Sequence, residues 1–274
     1  MSETVHFCAG LAPDNGMAET ARELAARECA AGEDSRVTDR PDAIRPGVGR
    51  VVVHGAWLPV LWRVARRAKA VGAFLEIRPH GSYDPVRLAY HAFRKRLAAP
   101  FERRMLARAD RIVATCAAEA EWIRAYAPDV RAIEVVGLKA HFDLTAPVAW
   151  PRGQRLPLHV LYLGRRHPLK GIGFLVQAAA ELADVELRVE TAVFGDEKER
   201  MWTWCDVLCL PTLSENFGRV VAEALAHGKP VVVTDGAPAW ADLAPEQGVY
   251  VRGYRAASAA ERVRLLRTAL ARFL

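Results

Sequence analysis

The chain lacks the features that mark a metal-binding, disulfide-rich or membrane-spanning protein. None of its five cysteines stands in C-x-x-C spacing, and four lie in apolar or alanine-rich stretches, so we expect buried free thiols in a reducing compartment. No apolar run approaches the ~20 residues that cross a bilayer. The N-terminus has neither the basic start nor the apolar core of a signal peptide. These absences together predict a cytoplasmic protein.

The composition is that of a folded protein with an excess of positive charge. A chain of 274 residues can bury one large or two modest cores, and its hydrophobic and charged contents of 51% and 26% are ordinary. The net charge of +6 fits an anionic partner. No nucleic-acid-binding motif accompanies the charge, which argues against nucleic acid. The basic residues are most concentrated between 87 and 111, where a solvated helix face and contact with an anionic membrane are both open interpretations: Arg87, Arg94, Lys95, Arg96, Arg103, Arg104, Arg108 and Arg111.

Short β-branched runs alternate with alanine-rich stretches, which is typical of parallel sheets covered by helices. The proline-rich segment 146–157, which includes Gly153, is the best linker candidate. We therefore predict two α/β domains, 1–150 on the acceptor side and 151–274 on the nucleotide side, facing across a cleft at the carboxyl ends of both sheets. The predicted strands are 5–9, 51–54, 73–78, 111–115, 132–136, 158–163, 185–189, 207–210 and 230–234, and the predicted helices include 18–31, 87–108, 219–227 and 258–273.

Residues 207–234 are the most informative stretch. A strand ends at Leu210, a polar loop follows, a helix begins near Arg219, and another buried strand comes after Pro230. The loop brings the N–H groups of a helix start, which favour phosphate, together with two carboxylates, Glu215 and Glu223. Carboxylates accept hydrogen bonds from sugar hydroxyls. The combination predicts a nucleotide-sugar site.

The same stretch, S-E-N-F-G-x-V-V-A-E-A-L-A-x-G-x-P-V-V, resembles the E-x7-E element of retaining family 4 glycosyltransferases, over roughly two dozen positions. The resemblance implies the GT-B fold of two Rossmann-like domains. It also implies an enzyme of the EC 2.4 type that moves a sugar, with retention, from a nucleotide-diphosphate sugar to a hydroxyl of a glycan or glycolipid. Cell-surface polysaccharide or lipopolysaccharide synthesis is the expected setting, with possible peripheral attachment to the inner face of the membrane.

A second motif fits the same resemblance. Leu163-Gly164-Arg165 through Lys170-Gly171 matches the family's G-R-x-x-x-x-K-G, whose arginine and lysine grip the donor diphosphate. Fixed cations can stabilise the charge of a departing nucleoside diphosphate without a metal, and the chain has no strand-end D-x-D pair to bind one. The resemblance therefore implies that Arg165 and Lys170 hold the diphosphate and that neither a metal nor another cofactor is needed.

The resemblance assigns further residues of the site. Glu223 is expected at the ribose, and Glu215 with the backbone of Asn216, Phe217 and Gly218 at the sugar hydroxyls. In the first half, Arg78-Pro79-His80-Gly81 resembles the family's P-H-G, which implies that His80 contacts the donor sugar or phosphate.

Four other positions in the first half are open. Pro13-Asp14-Asn15-Gly16 stands where the family has a glycine-rich loop, so Asn15 and Gly16 are candidates to approach the sugar phosphate or acceptor. For His54 and Trp57, acceptor contact and ordinary loop structure are equally compatible with the sequence.

The second half is shorter than is usual in the family. The stretch between Val189 and Cys205 has no room for the strand–helix–strand excursion that frames the nucleotide base, so the sequence does not predict the donor base. The short half also motivates an alternative function, a non-catalytic nucleotide-sugar-binding subunit that supports a partner glycosyltransferase. A nucleotide-sugar epimerising hydrolase on the same fold is disfavoured by the E-x7-E context.

Overall fold

The computed structural model describes residues 2–12, 15–151, 156–191 and 193–274. These form two compact units, Met1–Gly137 and Leu138–Leu274. Three residues of the predicted motifs, Pro13, Asp14 and Gly153, lie outside the described residues.

The first unit is a six-stranded parallel sheet in the order β2-β1-β3-β4-β5-β6. Strands β1, β3 and β4 are mostly buried in its centre, β3 being rich in valine, and the short, more polar β2 and β6 form its edges. The elements are β1 (Glu3–Cys8), α1 (Gly16–Ala30), β2 (Ser35–Thr38), β3 (Val48–His54), α2 (Pro59–Ala70), β4 (Phe74–Arg78), α3 (Pro85–Ala89), α4 (Ala92–Ala107), β5 (Arg111–Ala114), α5 (Ala117–Tyr126) and β6 (Ile133–Val135).

The second unit is a five-stranded parallel sheet in the order β11-β10-β9-β7-β8. Strands β7, β9 and β10 are buried along their whole length, as expected for a parallel sheet covered on both faces. The elements are β7 (Leu158–Leu163), α6 (Ile172–Ala180), β8 (Val185–Glu190), α7 (Gly195–Trp204), β9 (Val207–Leu210), α8 (Arg219–Ala226), β10 (Val231–Thr234), β11 (Gly248–Val251) and α9 (Ala259–Leu270).

The predicted fold class is confirmed, since both units are Rossmann-like α/β domains built on parallel sheets. The compact units divide after Gly137, whereas the sequence placed the domain boundary at residue 150. The segment before residue 150 packs on the second unit: Trp150 Nε1 donates to the Glu246 carbonyl at 2.6 Å, and its ring stacks on Phe273 at 4.4 Å. The prolines of this segment predicted a linker, whereas Trp150 packs its ring on Phe273 and so holds the end of the segment against the second unit.

Three local features differ from the sequence-based assignment. Strands β2 and β11 were not predicted, because each has only four residues and lies at a sheet edge, where one side of the strand has no partner to favour a long apolar run. The basic helix 87–108 is two helices, α3 and α4. The break falls at Tyr90–His91, where His91 has the left-handed φ of 59°.

All five cysteines are free thiols, as predicted; Cys8, Cys205 and Cys209 are buried, while Cys29 is exposed. Among the described residues, no helix combines the length and apolar character needed to cross a membrane.

Candidate functional site

In the second unit, two loops meet at the carboxyl ends of neighbouring strands. One loop follows β7 and ends in a 3-10 turn, Pro168–Lys170, before α6; the other, 211–218, joins β9 to α8. Because β7 and β9 pair in parallel, their carboxyl ends lie at the same end of the sheet. The Leu213 amide donates to the Leu169 carbonyl at 2.7 Å, which joins the two loops directly.

Two glycines allow this close approach. A Cβ on Gly171 would lie 2.0 Å from the Pro211 carbonyl oxygen, and a Cβ on Gly236 would lie 2.0 Å from the Thr212 carbonyl oxygen. Gly171 also has a left-handed φ of 65°. The Glu215 amide donates to the Gly236 carbonyl at 2.7 Å, so the loop after β10 supports the same segment. Glycine at these positions therefore sets the spacing of three strand-end loops.

The two loops bring Lys170 and Glu215 together. Lys170 Nζ donates to Glu215 Oε2, and the side chains are only 14% and 16% exposed. The other carboxylate oxygen, Oε1, accepts from the Asn216 amide at 3.1 Å. A largely buried cation and carboxylate thus lie side by side next to the start of α8. Lys170 and Glu215, which come from the two predicted motifs and are 45 residues apart in sequence, thus form an ion pair.

Arg165 lies on the first of these loops and is exposed. Its backbone carbonyl accepts from the Tyr162 hydroxyl at 3.1 Å, which anchors the loop to β7. Burial, together with the charge of Glu215, raises the pKa of Tyr162, so the hydroxyl stays protonated as the donor of this bond. Arg165 is thus an exposed residue on an anchored loop, the same loop that carries Lys170.

The start of α8 is held by aromatic packing. Phe217 is buried, its ring lies 5.3 Å from that of Trp240, and its carbonyl accepts from Trp240 Nε1. Gly218, the N-cap residue, has a left-handed φ of 71°. This arrangement fixes the direction in which α8 presents its first backbone N–H groups, the feature that makes a helix start suitable for an anion.

Glu223 lies in the second turn of α8 and is also paired with a lysine. Lys198 Nζ of α7 is 2.7 Å from Glu223 Oε2, and the Glu223 side chain is 17% exposed. Sequence reasoning missed Lys198, because nothing in its local pattern separates it from a solvated helix lysine. Both predicted glutamates therefore carry a lysine partner in the second unit.

In the first unit, His80 follows β4 in a strained and well-anchored loop. Its φ is 54°, a left-handed value, and its side chain is buried. The next amide, that of Gly81, donates to Glu119 Oε1 at 2.5 Å. The other oxygen of that buried carboxylate accepts from the amide and hydroxyl of Thr115 at 2.7 Å. Burial raises the pKa of Glu119 despite these bonds.

His54 and Trp57, left open by the sequence, both have structural partners. His54 is 2% exposed and hydrogen bonds to His80, with His54 Nδ1 and His80 Nε2 2.9 Å apart. Trp57 Nε1 donates to the Ser82 carbonyl at 3.2 Å, and its ring packs against Tyr83 at 5.7 Å. These contacts support ordinary loop structure for Trp57.

Asn15 and Gly16 begin α1. Asn15 is the N-cap: its Oδ1 accepts from the Met17 amide at 3.1 Å, and its Nδ2 donates to the Gly10 carbonyl at 2.8 Å. Its φ of −88° is ordinary, so the turn does not depend on the unusual backbone angles that Asn tolerates. A Cβ on Gly16 would meet nothing within 4 Å, so no described residue crowds this position.

Family models match in both units of the chain. Residues 186–268 match the family described as "Glycosyl transferases group 1", and residues 40–139 match "Glycosyl transferase 4-like domain". The two matches fall almost entirely in different units and each covers less than half of the chain, so each shows a resemblance of one unit to a glycosyltransferase domain. The matches cover much of both units, including α7 and α8 with their Lys198–Glu223 pair.

Individual relatives are distant. The chain is 29% identical over 209 residues to a D-inositol 3-phosphate glycosyltransferase of Nocardia farcinica, a match that covers 58% of this chain and 45% of the relative. An Arthrobacter protein of the same name is 29% identical over 201 residues, covering 58% and 48%. The chain therefore spans about half the length of these relatives.

Solved structures with the same fold are still more distant in sequence. A sucrose-phosphate synthase from Thermosynechococcus elongatus superimposes with a TM-score of 0.74 at 17% identity, covering 100% of this chain and 90% of the other. The Anabaena protein HepE, solved in complex with UDP-glucose, gives 0.67 at 16% identity, covering 98% and 90%. At this level of identity the likeness concerns the fold.

Proposed function

We propose that the chain transfers a sugar from a nucleoside-diphosphate sugar to a hydroxyl of a glycan or glycolipid acceptor, with retention of anomeric configuration. The observation that carries the proposal is the Lys170–Glu215 pair, held between two strand-end loops beside the start of α8. A nucleoside-diphosphate sugar can use all three groups of this site. The lysine suits its phosphates, the carboxylate suits its hydroxyls, and the helix start suits its negative charge.

The proposed roles follow from these chemistries. Lys170 exchanges its bond to Glu215 for the donor diphosphate, and the exposed Arg165 joins it. Glu215, released from the lysine, accepts hydrogen bonds from hydroxyls of the transferred sugar, assisted by the backbone of Asn216, Phe217 and Gly218. After the exchange Lys170 is paired with the diphosphate and Glu215 accepts hydrogen bonds from the sugar hydroxyls, so neither partly buried charge is left without a hydrogen-bond partner.

Four residues outside these loops complete the proposed donor and acceptor contacts. Glu223, now paired with Lys198, would bind the ribose hydroxyls. In the first unit, His80 would contact the donor sugar or phosphate, and Asn15 with Gly16 at the start of α1 would approach the sugar phosphate or acceptor.

The proposed chemistry needs no covalent nucleophile and no metal. Negative charge grows on the diphosphate as the glycosidic bond breaks, and positioned cations stabilise that charge without reorganisation during the step. Activity that persists in excess chelator is the expected result. Loss of activity in chelator, restored by manganese or magnesium, would contradict a cation-based mechanism.

The comparisons support a nucleotide-sugar donor without identifying it. HepE, a protein of the same fold, is described in complex with UDP-glucose, and the two relatives are named as D-inositol 3-phosphate glycosyltransferases. In this chain β8 ends at Glu190 and α7 begins at Gly195, so the segment that would frame a base is short. A role in cell-surface polysaccharide or lipopolysaccharide synthesis is part of the proposal.

The test is a calorimetric screen of nucleoside-diphosphate sugars combined with an assay of nucleotide release in the presence of a crude glycolipid extract. Binding of one donor with release of its nucleoside diphosphate supports the transferase. Binding without release, under every acceptor condition, favours the alternative function, a non-catalytic subunit that supports a partner glycosyltransferase. No binding of any donor would contradict both.

We also propose that α4 rests on an anionic membrane surface. Its exposed apolar side chains Phe93, Leu97 and Phe101 recur every four residues and are 76%, 64% and 57% exposed. Such spacing puts them on one helix face. Arg94, Arg96, Arg104 and Arg108 of the same region are exposed as well. Apolar groups beside cations are the combination that binds the interface of an anionic bilayer.

Vesicle sedimentation tests this contact. The protein should pellet with vesicles that contain phosphatidylglycerol and not with phosphatidylcholine vesicles, and Leu97→Asp should abolish pelleting. The matched control is Val176→Asp on α6, where Val176 is 47% exposed in the other unit. Equal loss in both variants, or no pelleting of the unaltered protein, would contradict a membrane role for α4.

A further inference from the structure

A continuous chain of hydrogen bonds joins Glu28 of α1 to His80 through two buried histidines. Glu28 Oε2 of α1 lies 2.9 Å from His6 Nε2, His6 Nδ1 lies 3.1 Å from His54 Nε2, and His54 Nδ1 lies 2.9 Å from His80 Nε2. The three rings sit on adjacent elements: β1, the end of β3 and the loop after β4. His6 is 0% exposed and His54 2%.

The rings contact one another directly, so the chain is a proton network rather than a metal site. Nitrogen–nitrogen distances of 2.9 and 3.1 Å are hydrogen-bond lengths that leave no space for an ion between the rings. Within the described parts of the chain, no group of three or more His, Cys, Asp or Glu residues is arranged to hold a metal.

Glu28, at one end of the network, is a carboxylate that can only accept hydrogen bonds. Burial alone would raise the pKa of Glu28, but hydrogen bonds from His6 and Ser35 and the charge of Arg50 lower it to about 2. Glu28 is therefore ionised at neutral pH, and His6 must donate from Nε2. Arg50 Nη1 donates to the other oxygen, Oε1, at 3.0 Å, and Ser35 Oγ donates to Oε2 at 2.7 Å.

The histidine end of the network is neutral. Burial lowers the pKa of His80 to about 3, and the nearby charges of Arg78 and Arg87 act in the same direction. Burial likewise lowers the pKa of His54, assisted by His80, His6, Arg78 and Arg50. The carboxylates in this layer are already engaged: Glu76 binds Arg50 at 2.8 Å and Arg78 at 2.6 Å. Glu28 is the carboxylate that hydrogen bonds to a ring of the network.

We propose that the three imidazoles are neutral and that Glu28, His6 and His54 are positioning residues that hold His80 in the Nε2–H tautomer, so that its Nδ1 is a hydrogen-bond acceptor. Three neutral rings carry three ring protons, one for each contact of the network. His6 then donates to Glu28, His54 donates to His6, and His80 donates to His54, in each case from Nε2.

This tautomer determines what His80 can do, and that consequence rests on the proposed function. An acceptor nitrogen can take a hydrogen bond from a sugar or acceptor hydroxyl, but it cannot donate to a phosphate oxygen. Of the two contacts proposed for His80, the tautomer selects a hydroxyl. Glu28, His6 and His54 thus determine which kind of ligand group His80 can bind at the carboxyl ends of the strands.

The test reads the tautomer directly, by ¹⁵N–¹H correlation spectra of the full chain labelled on histidine. The His80 signals are assigned by their loss in His80→Gln. At neutral pH the unaltered protein should show a protonated Nε2 and an unprotonated Nδ1 for His80. A protonated Nδ1, or an imidazolium, would overturn the proposal. This measurement needs no donor and no activity.

Glu28→Gln should reverse the network. Arg50 can only donate, so the carbonyl oxygen of the new amide stays toward Arg50 and the NH2 group takes the place of Oε2 beside His6. The NH2 group donates to His6 Nε2, and each ring proton moves to Nδ1, including that of His80. Ser35→Ala is the matched control, because it removes a donor to the same Oε2 and leaves the direction unchanged. An unchanged His80 tautomer in Glu28→Gln would contradict the network.

Turnover provides the functional reading. Once a donor is known, Glu28→Gln should lower kcat by about tenfold or more, since a histidine held in the wrong tautomer loses its function while the site geometry is kept, and Ser35→Ala should leave kcat within about twofold. A reversed tautomer with unchanged kcat would show that His80 does not act through Nδ1. Predicted tautomers in a protein that binds no donor would leave the network intact and reject the proposed function.

Discussion

Gly171→Ala should impair the candidate site strongly, although it adds only one methyl group. Gly171 has a left-handed φ of 65°, and its added Cβ would lie 2.0 Å from the Pro211 carbonyl oxygen and 2.9 Å from the Tyr254 hydroxyl. The carbonyl would have to retreat by more than about 1 Å to reach van der Waals distance. That movement would separate the loop that carries Lys170 from the loop that carries Glu215.

The expected magnitude has a stability part and a functional part. A non-glycine residue in the left-handed region costs about 1–2 kcal/mol, and overpacking costs about 1–3 kcal/mol, so the free energy of unfolding should fall by about 2–5 kcal/mol. A misplacement of about 1 Å at positioned groups costs on the order of 100-fold in rate. We therefore expect kcat/KM to fall by about two orders of magnitude at a temperature where the variant is still folded.

Gly173→Ala is the control two residues away. Gly173 lies in α6, and a Cβ there would meet nothing within 4 Å. Alanine should raise stability by about 0.5–1 kcal/mol and leave activity unchanged. Urea unfolding followed by circular dichroism, together with steady-state kinetics, measures both variants. Wild-type stability and activity in Gly171→Ala would refute the claim that this glycine sets the spacing of the site loops.

The remaining predictions concern three carboxylates. Glu223→Gln should weaken binding of the sugar-free nucleoside diphosphate, whereas Glu215→Gln should leave that affinity nearly unchanged and lower turnover by about tenfold or more; equal loss of the product in both variants, measured by calorimetry, would show that the sugar is placed wrongly. Burial alone would raise the pKa of Glu76, but the charges of Arg78 and Arg50 lower it on balance. The ionised carboxylate therefore stabilises the fold at pH values above the pKa that Glu76 has in the unfolded chain. This stabilisation is lost as the pH falls through the lower pKa of the folded state. Glu76→Gln should accordingly cost about 3–5 kcal/mol of stability at neutral pH, with a gap to wild type that closes in acid; a gap independent of pH would contradict the ion-pair explanation.

The strands and loops that carry the candidate site in the second unit were predictable from sequence. The apolar runs of β7, β9 and β10 are long enough to identify, and glycine and proline mark their ends. The ion pair between Lys170 and Glu215 was not predicted as a contact, although both residues were. Its formation depends on the close approach at Gly171 and Gly236, which follows from how three strands align in the folded sheet.

The histidine network shows where sequence reasoning stops. His6 and His54 are 48 residues apart, and Glu28 lies on a helix whose face toward the sheet is set by packing. A histidine in an apolar strand is compatible with many roles, so no local pattern joins these residues. Only the register of β1 against β3, in which Cys8 lies opposite His54, brings the rings to hydrogen-bond distance.

The central claim is that Lys170 holds the diphosphate of a nucleotide-sugar donor, and one calorimetric comparison tests it most directly. Nucleoside diphosphates and the matching nucleosides are titrated into wild type, Lys170→Ala and Lys69→Ala, the last being a control for an exposed lysine paired with Asp110 in the other unit. A charge-assisted hydrogen bond is worth about 1.5–3 kcal/mol, so Lys170→Ala should weaken the diphosphate about 10- to 150-fold and leave the nucleoside and the control unchanged. Equal weakening of diphosphate and nucleoside, or none of either, would contradict the claim.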